Sequence, residues 1–436
     1  MCDEMRTLSG TILAAAVGAV AFASDLSLER TASVYHSYEF VDAKDTPAPE
    51  GYTPFYVSHY GRHGSRRLAG TFVADTLAVL EKSGKEGTLT GQGKALLADI
   101  QKIAEAHEGM LGELSLRGAE EHRMLARRMA ARFPDVFNGA RNVRCRSSVY
   151  PRVLVSMANF TIALKDCAPG LSFTFETGEK ILRVLNPPYM ELKGRSPDLP
   201  EFPAPESLIK RLFVEPSSAS NPSKFVHDLF LCASDCQCLR EELGGLDIYR
   251  FFSLEEIASL FRALEAEMYG DMANSEEFGD APVKISAKLW ADFVARADEA
   301  IADDRIAADL RFGHDSGLWP LVGLLGLEGP GDRVPFADSW RDCPGWKWMS
   351  MASNLQIVFY RAKEGAVLVK ILYNEREMRV RGIDPVTGPY YRWRDLKTQL
   401  ADFPVPPNKK DTTKGAVSPL PDGRRGLLKG DDDGWN

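Results

Sequence analysis

Apolar and polar positions along this chain fall into one arrangement that recurs three times. A short apolar run, Phe55–Val57, leads into a polar, Arg- and His-rich stretch, and Leu68–Leu80 then carries apolar residues at helical spacing. Asn142–Cys145 reads as a short strand, followed by Arg146-Ser147-Ser148 and a helix over Pro151–Leu164, with Pro151 suited to a first turn. Ala307–Phe312 alternates apolar and charged residues, passes through Gly313-His314-Asp315-Ser316-Gly317, and gives way to a helix over Leu318–Leu327. Three strand–loop–helix units predict an α/β fold whose central sheet is mostly parallel, with helices flanking it and the loops gathered at one end.

The remaining pattern fills in around these units. Thr88–Ala106 is predicted helical, with Thr90 as N-cap and a stripe of Leu96, Leu97, Ile100 and Ile103. Ser115 opens another helix that runs to about Phe133. The text from 175 to 305 is mostly helical, over Lys224–Cys238, Ser253–Met268 and Ala287–Ala302, and predicts a helical insertion. Leu355–Arg361 and Val367–Tyr373 read as paired strands. The α/β domain is thus expected over 25–174 and 306–403. A flexible tail is expected over 404–436, where Pro, Gly, Lys and Asp dominate, and Asp431-Asp432-Asp433 reads as solvated chain.

Composition narrows the function classes. The chain has 436 residues, 44% of them hydrophobic and 26% charged, which suits a sizeable core. Acidic residues number 61 against 53 basic, a net charge of −8, so no global basic field for nucleic acid exists. Residues 1–24 resemble an export signal: Arg6, an apolar run from Thr11 to Phe22, and Ala21-Phe22-Ala23 as a small-x-small cleavage site. The apolar run is short for a bilayer span, so no stable membrane insertion is expected, and the product would be periplasmic or secreted. Six of the 7 Cys follow that site, and an even count in an exported chain permits disulfides without fixing their pairing.

The chemistry lies in the loops. Arg62 and Arg66 bracket His63, Arg146 follows the second strand, and His314-Asp315 follows the third. If the strands are parallel neighbours, these groups converge. Guanidinium forks suit phosphoryl oxygens, a neutral imidazole can attack phosphorus, and a carboxylic acid can protonate a departing alkoxide. His59, at the strand end, is a candidate pocket residue, with packing as its competing role.

The motifs resemble those of the histidine acid phosphatases, the clade-2 histidine phosphatases. Arg-His-Gly-x-Arg stands as Arg62-His63-Gly64-Ser65-Arg66. The Arg-Ser-[Ser/Thr]-x-x-x-Arg pattern is Arg146-Ser147-Ser148-Val149-Tyr150-Pro151-Arg152, and the His-Asp pair is His314-Asp315. The first motif alone arises by chance on the order of a few times in a thousand at this length. The resemblance implies a phosphoglycerate-mutase-like α/β domain with a smaller, mostly helical inserted domain. It also implies phosphomonoester hydrolysis without cofactor or metal. By it, His63 would be the nucleophile, Asp315 the proton donor, and Arg62, Arg66, Arg146 and His314 the phosphate ligands.

Within that family, His59–Arg66, Met351–Arg361 and Asn374-Glu375-Arg376-Glu377 resemble the multiple inositol polyphosphate phosphatase branch, which implies inositol polyphosphates such as phytate as small-molecule substrates. Two positions depart from it. His314-Asp315-Ser316 replaces the branch's His-Ala-Glu, and Leu68 stands where many members have Pro. The rival readings are a broad acid or sugar-phosphate phosphatase with the same centre, and a non-catalytic inositol-phosphate-binding module. The sequence leaves the oligomeric state open.

Overall fold

The computed structural model describes residues 27–42, 44–186, 199–277 and 279–400. The expected export signal and the expected C-terminal tail both lie outside them. In chain order the longer elements are β1 (Tyr52–Arg62), α1 (Phe72–Lys85), α2 (Gly91–His107), α3 (Leu116–Arg132), β2 (Asn142–Ser147) and α4 (Pro151–Cys167). Then come β3 (Ser172–Glu176), α5 (Glu179–Leu185), α6 (Glu206–Leu212), α7 (Pro222–Asp235), α8 (Leu254–Met272) and α9 (Ala287–Ala302). The chain closes with β4 (Ile306–Gly313), α10 (Asp315–Leu324), β5 (Asn354–Ala362), β6 (Val367–Tyr373), β7 (Arg376–Glu377), β8 (Tyr390–Arg392) and α11 (Trp393–Gln399).

The eight strands form one sheet in the order β3-β2-β4-β1-β5-β6-β7, with β8 also paired to β6. Its parallel block is β3-β2-β4-β1, and β5 and β6 extend it antiparallel. Register decides where the loops meet. Arg62 is opposite Gly313, and Ser147 is opposite Phe312, so β1, β2 and β4 end level with one another. That carboxyl edge is where open α/β sheets bind ligands.

Burial explains why β1 sits centrally. Its residues from Tyr56 to Arg62 are all buried, as expected of a strand covered on both faces. Tyr56 and Tyr60 join the apolar cluster shared with α9, α10 and α11, whereas Val57 joins the opposite layer of α3 and α4. A third cluster draws α1 and α2 together with α6, α7 and α8. The helices expected as an insertion over 175–305 are therefore shared out. Some pack with helices that precede β2, and α9 packs on the sheet.

Local signals read from sequence carry through at the caps. Thr90 Oγ1 accepts from the Gly93 N–H at 3.0 Å and Ser115 Oγ from the Gly118 N–H at 3.1 Å. The helix expected from Leu318 begins three residues earlier, at Asp315. Among the described residues no helix is long and apolar enough to cross a membrane. The six cysteines that could have paired, Cys145, Cys167, Cys232, Cys236, Cys238 and Cys343, are all free thiols.

Candidate active site

β1 delivers Arg62 as its last residue and His63 as the first of the loop. Close packing holds that loop. A Cβ on Gly64 would lie 2.5 Å from the Gly118 carbonyl oxygen, so only glycine lets α3 approach the loop this nearly. Glu121, one turn further along α3 and buried, accepts from the Ser65 N–H (2.7 Å), the Ser65 hydroxyl (2.7 Å) and the Tyr38 N–H (3.0 Å). Burial raises its carboxyl above the ordinary range, partly offset by these donors.

His63 is 2% exposed. Its Nδ1 lies 3.0 Å from the Gly64 carbonyl oxygen, which can only accept, so Nδ1 carries the proton and Nε2 keeps a lone pair. Burial first, then the charges of Arg152, Arg62 and Arg66, push its pKa well below the usual histidine value. The ring is therefore neutral over the physiological range, with a lone pair on Nε2.

Arg62 is buried and fixed. Its Nη1 donates to the Val34 and Met349 carbonyls at 2.6 and 2.7 Å, and its Nη2 lies 2.6 Å from Asp315 Oδ2. Arg66 stacks on Tyr35, its Cζ 5.8 Å from the ring centre. The Nε–H groups of Arg62 and Arg66 are buried without an acceptor among the described residues. Orphaned donors of this kind are costly unless a ligand takes them up, which is what an anion site requires.

β4 delivers His314 and Asp315 opposite this loop. The His314 ring lies 5.6 Å from that of His63, and its Nε2 is 3.0 Å from Ser148 Oγ. Burial, then the Arg152 charge, lowers its pKa to about 3. Asp315 is one-fifth exposed. Burial pushes its carboxyl up, but Arg62 and His314 outweigh this and hold it below the ordinary value.

Arg146 does not join the others. β2 runs two residues beyond its expected end, so Arg146 remains in the strand and projects with Arg144 toward α9. There it makes a double ion pair with Asp292 (2.8 and 2.6 Å), which also takes Arg311 Nε at 2.7 Å. The guanidinium at the site is that of Arg152, in the first turn of α4, with its Cζ 4.9 Å from the Tyr150 ring centre. Among charged groups it acts most strongly on both His63 and His314. The residue was in view as the last of the Arg-Ser-Ser pattern. Its position beside Pro151, at a helix start, was the available signal.

His59 is not a pocket residue either. It is buried beneath the loop between Phe160 and Phe312, at ring distances of 5.5 and 5.4 Å, and burial takes its pKa to about 3. Sequence reasoning also passed over Tyr35 and Glu121, which belong to no pattern that spacing alone reveals, and gave no role to Ser148, although it stands in the Arg-Ser-Ser pattern.

The sequence matches no protein-family profile and no curated protein. Solved structures do resemble the fold. Multiple inositol polyphosphate phosphatase of Bifidobacterium longum, in complex with inositol hexasulfate, has 19% identity and a TM-score of 0.74, covering 86% of this chain and 98% of that one. Its phosphate complex has 19% identity, a TM-score of 0.75 and the same coverage. The phytase from D. castellii has 16% identity and a TM-score of 0.65, covering 86% of this chain and 85% of that one. At such identities the likeness is one of architecture: this chain has the α/β histidine phosphatase fold of the inositol polyphosphate phosphatase and phytase structures.

Proposed function

We propose that the protein is an exported phosphomonoesterase that hydrolyses myo-inositol polyphosphates through a phosphohistidine. One observation carries this reading: His63, its Nδ1 proton on the Gly64 carbonyl, lies within electrostatic reach of Arg62, Arg66 and Arg152, with Asp315 against Arg62. The arginines take the phosphoryl oxygens. Nε2 attacks phosphorus in line, the P–O ester bond breaks, and Asp315 gives its proton to the leaving alkoxide. Water then attacks the phosphohistidine, Asp315 takes the water's proton, and the P–N bond breaks to release phosphate. The departures at Asp315-Ser316 keep a carboxylic acid next to His314.

The reading predicts that His63→Ala abolishes phosphate release while the protein stays folded; unchanged turnover would refute it. Export is tested by finding the mature N-terminus near Ser24 in the product recovered outside the cytoplasm. A broader phosphomonoesterase with the same centre is the second reading. It is favoured by the surroundings of Arg66, where Tyr35 supplies an aromatic ring and lies within electrostatic reach of the Glu267 carboxylate. A carboxylate beside the site opposes densely phosphorylated substrates. The ratio of activity on phytate to activity on simple phosphomonoesters separates the two.

A further inference from the structure

Two neutral imidazoles meet at this site, and phosphoryl transfer needs opposite things of them. His63 must offer a lone pair. His314 must offer an N–H to a phosphoryl oxygen. A neutral imidazole carries one proton, so the hydrogen bond made by one ring nitrogen decides what the other can do. For His63 the Gly64 carbonyl settles the matter.

For His314 we propose that Ser148 settles it: the Ser148 hydroxyl donates to Nε2, fixes the Nδ1–H tautomer, and so makes Nδ1–H the ring's donor to substrate. Ser148 is thereby a positioning residue. What His314 donates to rests on the phosphatase reading above, whereas the tautomer does not.

The argument is one of proton accounting. Ser148 is fully buried, and among the described residues its Oγ has one partner, His314 Nε2 at 3.0 Å. Its backbone is already committed. The N–H donates to the Phe312 carbonyl at 3.1 Å, and the carbonyl accepts from Ser147 Oγ at 2.6 Å. If Nε2 carried the proton and donated to Oγ, the Ser148 hydroxyl hydrogen would be left without an acceptor in a dry environment. A buried unpaired donor of that kind is disfavoured. With Oγ–H donating, every proton at this contact is used.

The ring has little freedom to escape this choice. Tyr150 meets it edge-on at 5.0 Å and 87°. The His314 backbone N–H donates to the Tyr60 hydroxyl at 3.1 Å, and that hydroxyl donates to the Leu185 carbonyl at 2.7 Å. Backbone and ring are therefore both held while Nε2 faces Ser148.

The test reads the tautomer directly and needs no turnover. Protein labelled with 15N-histidine is examined near neutral pH by long-range proton–nitrogen correlation, with the His314 signals assigned by their loss in His314→Gln. The expected result is a protonated Nδ1 and an unprotonated, hydrogen-bonded Nε2 in the unmodified protein. In Ser148→Ala the ring should shift toward the Nε2–H form, and kcat/KM should fall about tenfold. Ser148→Thr, which keeps a hydroxyl, should restore both. An Nε2–H ring in the unmodified protein overturns the proposal, and that measurement stands even if the alanine variant does not fold. An unchanged tautomer in Ser148→Ala overturns it equally. An Nδ1–H ring in a protein that releases no phosphate would instead refute the phosphatase reading and leave the role of Ser148 in place.

Discussion

Replacing Arg152 and Arg146 one at a time tests the proposed phosphate ligand against a structural ion pair. Arg152 is the strongest charged influence on both imidazoles. Removing one well-placed donor from a developing phosphoryl charge costs about 3–4 kcal/mol, or about 10²–10³-fold in rate. Arg152→Ala should therefore lose about that factor in kcat/KM. The His63 and His314 pKa values should also rise, because a nearby positive charge has gone. Arg146→Ala acts elsewhere. Breaking a buried pair costs about 3–5 kcal/mol when the partner is left alone. Asp292, however, keeps Arg311 at 2.7 Å, so a loss of about 1–3 kcal/mol is expected. At about 2–4 °C per kcal/mol this lowers the melting temperature by several degrees. Initial rates of phosphate release, taken well below the transition, should stay near wild type. A loss of about 100-fold in Arg146→Ala with an unshifted melt would refute the assignment. So would an Arg152→Ala enzyme within about threefold of wild type.

Asp315→Asn should slow alkyl phosphates far more than p-nitrophenyl phosphate, because only the poor leaving group needs its proton; equal losses on both would count against the acid role. Asp315 is held below its ordinary pKa, chiefly by Arg62 against the opposing effect of burial. The pair therefore stabilises the fold above the unfolded carboxyl value of about 3.9, and that contribution disappears as pH falls through the lower folded value. Denaturant midpoints of wild type and Asp315→Asn should converge in strong acid and separate toward neutrality. Glu121→Ala should cost both stability and turnover, since Ser65 N–H, Ser65 hydroxyl and Tyr38 N–H lose one acceptor group together. If kcat/KM is unchanged in the folded variant, the loop does not depend on that clamp.

The fold was legible because each strand–loop–helix unit carries two independent signals, a change of apolar period and an ionisable loop. Thr90 and Ser115 could be placed as caps for the same reason, since a cap depends on neighbours in sequence. Arg146 shows where that reasoning stops. Whether β2 ends at Cys145 or Ser147 decides the side on which Arg146 emerges, and period alone does not set a strand end. Asp292, which claims Arg146, lies in α9, far along the chain and in no recognisable pattern with it. The roles of Glu121 and Ser148 were illegible for a related reason. Their partners are a loop N–H and a ring nitrogen brought close only by the fold. For His59, where a pocket role and a packing role stood side by side, the structure decides for packing: it lies on the same strand as Arg62, but its side chain enters the layer of Phe160 and Phe312.

The contact between Arg62 and Asp315 carries an apparent conflict. A general acid must hold a proton, yet the guanidinium 2.6 Å away keeps this carboxyl ionised. On the proposed mechanism the bound substrate would resolve it. A phosphoryl dianion shared among Arg62, Arg66 and Arg152 would cancel much of the positive field acting on Asp315, and it would place further negative charge beside the carboxylate. Both effects raise the pKa of Asp315, as like charges do for any carboxyl pair. On that reading the acid would be loaded by the substrate it serves. His63 does not compete for that proton. Burial and the same guanidiniums hold its pKa low, and the Gly64 carbonyl keeps its Nδ1 proton in place. Arg62 thus has one electrostatic role with two outcomes. Free, it holds Asp315 as a carboxylate; in the proposed complex it would give up that hold to the phosphate, and the proton would arrive where the alkoxide forms.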